Sequence, residues 1–250
     1  MSGIHKSLLK VQQAKVVSAV TQGAKFIGTH NGTFHCDEAL AVSLLKILPR
    51  FESHAILRTR DLEKLSHCEA VVDVGGEYDF ARIRLDHHQK TFTDALDGEN
   101  TKLSSAGLVY KHFGRDILQT ICDHSLSEPV LEIMYKKLYK GFVEHIDGID
   151  NGVEVASGPS NYAITTSLSA RVGYLNPRWN ESQSDDVVNS RFHQVRSASS
   201  KSPNRLPRHH HLGHELDRVG IRRARAVLLR SVAAGAIHRR SGAQNSLPAA

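Results

Sequence analysis

Three short segments of the sequence carry side chains that commonly bind divalent metal ions. Together they combine histidine with aspartate, and this mixture of imidazole and carboxylate suits manganese, iron, zinc or cobalt more than calcium. Cations held in this way lower the pKa of a bound water and polarise a bound oxygen group, so these side chains could serve metal-assisted hydrolysis. The candidate ligands are His30, His35 and Asp37 in the first segment, Asp73 in the second, and Asp86, His87 and His88 in the third.

Each of these segments follows a short stretch that has the pattern of a strand. Residues 25–29 precede the first segment, residues 71–72 the second and residues 82–85 the third. In an open α/β sheet, ligands bind beyond the carboxyl ends of the strands. A single Asp after a strand is usually a turn former, but an Asp followed by two histidines is not explained in that way. Three strand ends with the same ligand chemistry therefore predict one shared metal site.

The remaining pattern predicts the fold class. Residues 39–48 have helical spacing that stops at Pro49, residues 54–60 have the pattern of a further strand, and helical patterns recur after Ser104 and over 129–150. This alternation predicts an α/β fold with a doubly wound, mostly parallel sheet and helices on both faces. The 250 residues contain 40% apolar side chains, which is enough for one well-buried core.

Two further acids lie near the end of the 129–150 helix, where carboxylates oppose the helix dipole. We predict that Asp147 reaches back to the sheet and completes the metal cluster. Asp150 is then an outer partner of the cluster or a cap for the Asn151-Gly152 turn. The alternative is that both acids only cap and solvate that turn.

Candidate contacts with a substrate lie outside the ligand segments. Ser104 and Ser105 open a helix, most simply as an N-cap. If this helix end faces the site, its free N–H groups could also hold a substrate phosphate. Arg171 is a candidate phosphate clamp, with a structural ion pair as the alternative.

Composition gives an expectation for the environment of the protein. The three cysteines, Cys36, Cys68 and Cys122, are widely spaced and form no zinc or disulfide framework, which indicates a reducing compartment. No apolar run of the sequence is long enough to cross a membrane, so we expect no membrane partner. Residues 1–24 lack Asp and Glu, which suits either a mitochondrial targeting segment or a surface helix before the first strand.

Charge is distributed unevenly along the chain. Residues 195–250 contain 11 basic and 2 acidic residues and no aromatic side chain, whereas residues 1–194 contain 21 basic and 24 acidic residues. The high isoelectric point therefore reflects the tail, and the body has no positive excess with which to attract nucleic acid. We predict a tail of low structural order that could bind RNA without sequence specificity.

The ligand segments also resemble a known family. With two later segments, they are similar to the DHH phosphoesterase superfamily and, within it, to the exonuclease family named after the melanocyte proliferating gene (MYG). The superfamily usually has Asp where this chain has His35, and its loop is one residue shorter. The matching segments are 30–41, 71–78, 86–89, 101–107 and 168–172.

The resemblance implies a metal-dependent enzyme that removes nucleotides from RNA 3′ ends with a two-metal centre of the manganese type, for which Mg²⁺ or Co²⁺ would be alternatives. Its ligands would be the residues named above together with Asp147, and His87, His88 and Asp37 would act in catalysis. RNA or a short oligonucleotide would be the substrate, and dimerisation is left open. The expected location is the mitochondrion, the nucleus or both, with the cytosol as the alternative.

The resemblance, together with the charge distribution, also predicts that the chain has three parts. Residues 1–24 would be an extension, residues 25–194 a metal-binding catalytic domain, and residues 195–250 a basic tail that replaces the family's C-terminal domain after a changed reading frame or splice choice. Two alternatives to an exonuclease follow. One is a pyrophosphatase or small-dinucleotide phosphodiesterase, because a metal centre alone does not choose among phosphoesters. The other is a weakly active or inactive metal-binding variant that lacks the domain that grips the substrate.

Overall fold

The computed structural model describes residues 14–197 of the chain. Residues 1–13 of the predicted extension and residues 198–250 of the predicted tail lie outside this range, so the predictions made for them are not tested by the structure. Within the described part, none of the helices is both long enough and apolar enough to cross a membrane.

Six strands of the described residues form one sheet, in the spatial order β1-β3-β2-β4-β6-β5. Every neighbouring pair is parallel except β6 with β5, which is antiparallel at the edge of the sheet. The predicted α/β fold with a mostly parallel sheet is therefore confirmed. The strands are β1 Val16–Val17, β2 Phe26–Thr29, β3 Ala55–Arg58, β4 Ala70–Val72, β5 Tyr78–Asp79 and β6 Arg84–Leu85.

The helices of the described residues connect the parallel strands and continue beyond the sheet. A π-helical turn over Tyr139–Val143 joins α4 to α5, where the sequence pattern predicts one continuous helix. The helices are α1 Cys36–Ile47, α2 Leu62–Ser66, α3 Ser105–Ile121, α4 Glu128–Leu138, α5 Glu144–Asp150, α6 Leu168–Gly173 and α7 Asp185–Ser197.

Side-chain alternation along the central strands divides the core between the two faces of the sheet. Ile27 and Ile56 belong to the larger core, which they share with apolar side chains of α1 and α3. Phe26 and Leu57 point to the opposite face, where Leu65 of the short helix α2 covers them. Helices therefore lie on both faces, with most of the helical mass on the face that carries α1.

Ordered residues lie on both sides of the predicted domain boundaries. Val16 and Val17 form the edge strand β1 beside β3. At the other end, α7 continues past residue 194, and Val195 is buried. The division of the chain into an extension, a domain and a tail stays a prediction.

Gly28 of β2 allows α2 to pack closely on the sheet. A Cβ at this position would lie 2.8 Å from Leu65 Cδ2 and 2.9 Å from Cys68 Sγ. We expect Gly28→Ala to lower the free energy of unfolding by about 1–3 kcal/mol, because the helix must shift to accommodate the added methyl group. Urea denaturation measures this change.

Gly141→Ala is the matched control, since Gly141 lies in the π-helical turn and a Cβ there meets no atom within 4 Å. This control should be neutral or should stabilise the protein by up to about 1 kcal/mol. If Gly28→Ala were as stable as the wild type, the close packing of α2 against β2 would be wrong.

Candidate metal centre

Three strands bring the predicted ligand segments to one edge of the sheet. β2, β4 and β6 are parallel neighbours, so their carboxyl ends lie side by side. His30 directly follows β2, Asp73 follows β4 and Asp86 follows β6. The structure therefore brings the three segments together, as their positions after apolar strands predicted.

The first group of potential ligands joins the β2–α1 loop to the end of β4. His30 Nε2 lies 3.2 Å from Glu38 Oε1 and 3.4 Å from Asp73 Oδ2. These three side chains are buried, whereas His35 at the rim of the group is exposed. One donor atom from each of four residues lies within 4.8 Å of the others, and the residues are His30, His35, Glu38 and Asp73.

Glu38 is absent from the ligands that we predicted from the sequence. It occupies the third position of α1, and its carboxylate accepts a hydrogen bond from the His35 N–H at 2.9 Å, as in a capping box. The sequence could have predicted the capping role, because an acid commonly lies three residues after an N-cap residue. It could not have predicted that Glu38 also lies beside His30, because that contact depends on the path of the loop.

Two further groups overlap with the first. One contains Asp73, His87 and His88, the other contains Asp37, His87 and Asp150, and the donor atoms within each again lie within 4.8 Å of one another. His87 Nε2 lies 3.4 Å from Asp73 Oδ1 and 3.1 Å from Asp150 Oδ2. Because Asp73 belongs to the first two groups and His87 to the last two, the donor atoms form one continuous cluster.

Asp37 is fixed by the amino-terminal end of α3. Its carboxylate accepts hydrogen bonds from Ser104 Oγ at 2.5 Å, from the Ser105 N–H at 3.0 Å and from the Ala106 N–H at 2.6 Å. These groups include the ones that we predicted to hold a substrate phosphate. In the structure they hold the Asp37 carboxylate, and contact of Ser104 and Ser105 with a substrate stays a prediction.

The structure places Asp147 behind the cluster, outside the groups that could hold a metal ion in the described residues. Its buried carboxylate accepts hydrogen bonds from Ser104 N and Tyr139 OH, and it lies 2.7 Å from Ser104 Oγ. Gly107 leaves room for this carboxylate, because a Cβ there would overlap it. We predicted that Asp147 completes the cluster, with Asp150 as an outer partner, but it is Asp150 that lies beside His87. Spacing could not separate the two acids, since residues three apart share one face of a helix.

Asp86 orients its neighbours and is likewise outside the three groups found in the described residues. Its carboxylate accepts hydrogen bonds from the N–H groups of Gly76 and His88, and it lies 2.6 Å from His88 Nδ1. The His88 side chain is 63% exposed. An imidazole held by a buried carboxylate at the mouth of the cluster is placed to meet a molecule from solution.

The cluster concentrates acidic groups in a buried place. Burial lowers the pKa of His30, but contacts with Asp73 and Glu38 outweigh burial and raise this pKa to about 10. Burial also lowers the pKa of His87, but the carboxylates of Asp150, Asp73 and Asp37 outweigh it and raise this pKa to about 10. Burial and neighbouring carboxylates also raise the pKa of Asp37. In the absence of a cation, the cluster therefore retains protons.

Two buried atoms of the cluster have no hydrogen bond of regular geometry within the described residues. These atoms are Asp73 Oδ1 and His87 Nε2, which lie 3.4 Å apart. His87 Nδ1 lies 3.3 Å from Asn151 Oδ1, and this contact leaves Nε2 as the ligand atom. Buried polar groups without partners are costly, and one cation would satisfy both atoms. The residues present therefore fit a divalent cation bound by mixed nitrogen and oxygen donors.

Helix α6 packs beside the first ligand loop, because Ser169 forms a hydrogen bond with the Cys36 thiol. Cys36 is buried, which raises the pKa of its thiol, and it lies outside the three groups of potential ligands in the described residues. Arg171 lies half-buried in the same helix. Its role as a phosphate clamp stays a prediction.

The region that forms the cluster is shared with known proteins. Residues 26–207 match the family model MYG1_exonuc, which is described as an uncharacterised protein family (UPF0160). The chain belongs to this MYG1 family. The matched region includes all the side chains of the three ligand groups.

Named relatives come from animals and fungi. The chain is 48% identical over 197 residues to MYG1 exonuclease of Rattus norvegicus, 52% over 166 residues to MYG1 exonuclease of Homo sapiens, and 38% over 190 residues to a MYG1 protein of Saccharomyces cerevisiae. These alignments cover 72%, 64% and 73% of this chain but 52%, 44% and 56% of the relatives. The chain therefore spans about half the length of the relatives that it matches. No solved structure matches it.

Asp150 and Asp147 lie one turn apart on the same helix, so asparagine substitutions at these two positions test which acid binds the metal ion. We expect Asp150→Asn to weaken manganese binding by at least about 10-fold, and Asp147→Asn to weaken it less, because only Asp150 lies beside His87. Asp73→Asn should cause the largest loss, since two groups share this carboxylate. Titration calorimetry with Mn²⁺ measures all three affinities. A larger loss for Asp147→Asn than for Asp150→Asn would restore our prediction from the sequence.

Proton competition should make metal binding depend on pH. A histidine must lose its extra proton before it can bind a metal ion, and the pKa values of His30 and His87 are both raised to about 10. Binding should therefore release protons at neutral pH, tighten as the pH rises towards these values, and weaken as the pH falls. Calorimetric titrations in two buffers with different ionisation enthalpies measure the number of protons released. Binding without proton release at neutral pH would contradict this expectation.

Proposed function

We propose that the chain is a metal-dependent phosphodiester hydrolase, a 3′–5′ RNA exonuclease with a two-metal centre on a DHH phosphoesterase-like fold. The observation that carries the proposal is the continuous donor cluster, in which Asp73 belongs to two potential sites. Centres with two cations about 3.5–4 Å apart recur in phosphatases and nucleases. The name MYG1 exonuclease, which two of the relatives above carry, points to the same chemistry.

When bound, divalent cations would lower the pKa of a water molecule and offset charge on the phosphoryl group. The chain contributes donors that are already oriented. Asp37 is held by the end of α3, Glu38 by the backbone of the first ligand loop, and His87 by Asn151. Because these contacts exist in the free protein, little reorganisation is left for the moment of reaction.

His88 is the residue that we assign to proton transfer. Hydrogen bonding to Asp86 raises the pKa of His88, although burial opposes this effect. Because Asp86 contacts the ring at Nδ1, the Nε2 atom is left to interact with a substrate. A protonated imidazole in this position can donate a proton to the leaving oxygen of a phosphodiester. In this assignment, His87 and Asp37 act on the reacting phosphate as ligands of the centre.

RNA is the proposed substrate, and the charge distribution suggests how it is retained. Residues 1–194 carry a small acidic excess, so the body itself does not attract a polyanion. Metal ions would reverse the local charge at the cluster. The basic residues of 195–250 would hold RNA without specificity, with an affinity that falls as salt increases. Arg171 is proposed to contact a phosphate of the bound strand.

The cofactor that we propose is Mn²⁺, which suits mixed imidazole and carboxylate ligands, and Mg²⁺ or Co²⁺ are the alternatives. The proposed location is the mitochondrion, the nucleus or both, with the cytosol as the alternative. A homodimer is compatible with the proposal, but the proposed chemistry does not require one.

A metal-binding form with little or no turnover is the second candidate. It is favoured by one observation, namely that residues 1–194 carry a small acidic excess and so offer little positive charge with which to position a polyanion at the cluster. A poorly positioned substrate can lower a rate by about 100-fold or more.

The test is an assay of the purified full chain with Mn²⁺ on end-labelled RNA, DNA of the same sequence, a short dinucleotide and inorganic pyrophosphate. We expect mononucleotides to be released from the 3′ end of RNA. Hydrolysis of pyrophosphate or of the dinucleotide alone would replace the exonuclease by the corresponding small-molecule hydrolase. Binding of manganese with no hydrolysis of any substrate would establish the second candidate.

Two variants connect this activity to the cluster. Asp73→Asn should abolish hydrolysis, because it removes the carboxylate that joins the first two groups. Asp97→Asn is the matched control, since Asp97 is an exposed acid outside the cluster and should keep full activity. Retained activity in Asp73→Asn would point to a contaminating nuclease or to a different site.

A further inference from the structure

The loop that carries the first ligands is held by a residue far away in the sequence. Phe34 lies in this loop, and its ring is fully buried. Its N–H donates to Asn176 Oδ1 at 2.9 Å, and its carbonyl accepts a hydrogen bond from Asn176 Nδ2 at 2.7 Å. A side-chain amide that pairs with both backbone groups of one residue imitates the contact made by a neighbouring β-strand. Asn176 therefore gives an irregular loop the support that a strand receives from a sheet.

Arg58 makes a second contact with the same loop. Its side chain is 1% exposed, and one guanidinium nitrogen donates to the Gly32 carbonyl at 2.8 Å. The other terminal nitrogen donates to Asn189 Oδ1 at 2.9 Å, and the guanidinium lies 4.5 Å from the centre of the Phe192 ring. Asn189 and Phe192 belong to α7, so Arg58 ties the ligand loop to this helix.

The two contacts are joined to each other. Arg191 of α7 donates to the Asn176 carbonyl at 3.2 Å and forms two hydrogen bonds, both of 2.9 Å, with the Glu181 carboxylate. The Phe34 and Phe192 rings meet edge to face at 5.7 Å. Residues 168–195, from α6 through α7, thus form a strap across the ligand loop.

Arg58 also affects the charge of the first ligand group. Burial lowers the pKa of Arg58 to about 10, and the Glu38 carboxylate opposes this shift. The same interaction works in the other direction, because a buried guanidinium near Glu38 compensates part of the negative charge there. The loop is therefore supported both by hydrogen bonds and by a positive charge behind it.

We propose that Asn176 is a positioning residue of the metal centre, which together with Arg58 fixes the loop of His30 and His35 before α1 in its metal-binding conformation. This inference rests on the proposed function, because it requires that the loop binds a cation. If the inference is right, metal affinity depends on the strap of residues 168–195, although the strap supplies none of the potential ligands in the three groups of the described residues.

The physical reason lies in the order of the free loop. Without Asn176, the buried N–H and carbonyl of Phe34 would lose their partners, and unpaired buried groups favour other loop conformations. A cation would then have to order the loop as it binds, and the free energy of that ordering would be lost from the affinity. Residues that orient metal ligands typically contribute about 10- to 100-fold to metal affinity when they are tested by substitution.

The experiment measures Mn²⁺ affinity by titration calorimetry for the full chain and for Asn176→Ala, well below their unfolding temperatures. Asn180→Ala is the matched control, because Asn180 is an exposed residue of the same type in the same connection between α6 and α7. We expect Asn176→Ala to bind manganese about 10- to 100-fold more weakly and Asn180→Ala to bind it as the wild type does. A merely structural role would lower the unfolding temperature of the metal-free protein and leave the affinity of the folded protein unchanged.

Asn176→Asp provides an independent second variant. The carboxylate can still accept a hydrogen bond from the Phe34 N–H, but it cannot donate to the Phe34 carbonyl, so manganese binding should again be weakened. If Asn176→Ala does not fold, this variant decides the matter. Wild-type affinity in a folded Asn176 variant would overturn the positioning role and leave the metal centre intact. Failure of the unsubstituted chain to bind manganese would overturn the proposed function itself, so the two failures are distinguishable.

Discussion

The Asp73 carboxylate between His30 and His87 is the interaction on which the rest of the site depends. Its two oxygens lie 3.4 Å from the Nε2 atoms of the two imidazoles and so connect the ligand loop after β2 with the segment after β6. Asp73 has a φ of 59°, in the left-handed region that Asp tolerates better than most residues. Strained backbone of this kind persists where the surrounding structure holds it, and here it directs the carboxylate into the cluster.

Much of the structure around Asp73 holds buried acids in place without neutralising them. The end of α3 binds Asp37, the glycine turn after β4 binds Asp86, and the backbone before α1 binds Glu38. Without a cation, the raised pKa values of His30 and His87 mean that protons occupy the positions between these acids. A divalent cation would replace those protons. Metal binding should therefore also stabilise the folded chain, because only the folded state brings the ligands together.

Sequence patterns predicted the parts of the site that depend on local structure. The three strand ends were recognisable because each has apolar residues followed directly by ligand-type side chains. The sequence did not show which of Asp147 and Asp150 lies in the cluster, since both lie on one face of a helix. In the structure they differ because Asp147 contacts Ser104 and Asp150 contacts His87. The contact between Phe34 and Asn176 spans 142 positions and leaves no local pattern. Contacts of this length are set by the packing of the whole domain.

Anomalous X-ray scattering from crystals of the manganese-loaded protein tests the shared carboxylate most directly. We predict two manganese peaks about 3.5–4 Å apart, with Asp73 in contact with both. One peak should lie beside His30 and Glu38, and the other beside His87. A single peak, or two peaks without Asp73 between them, would contradict the two-metal centre proposed for this chain.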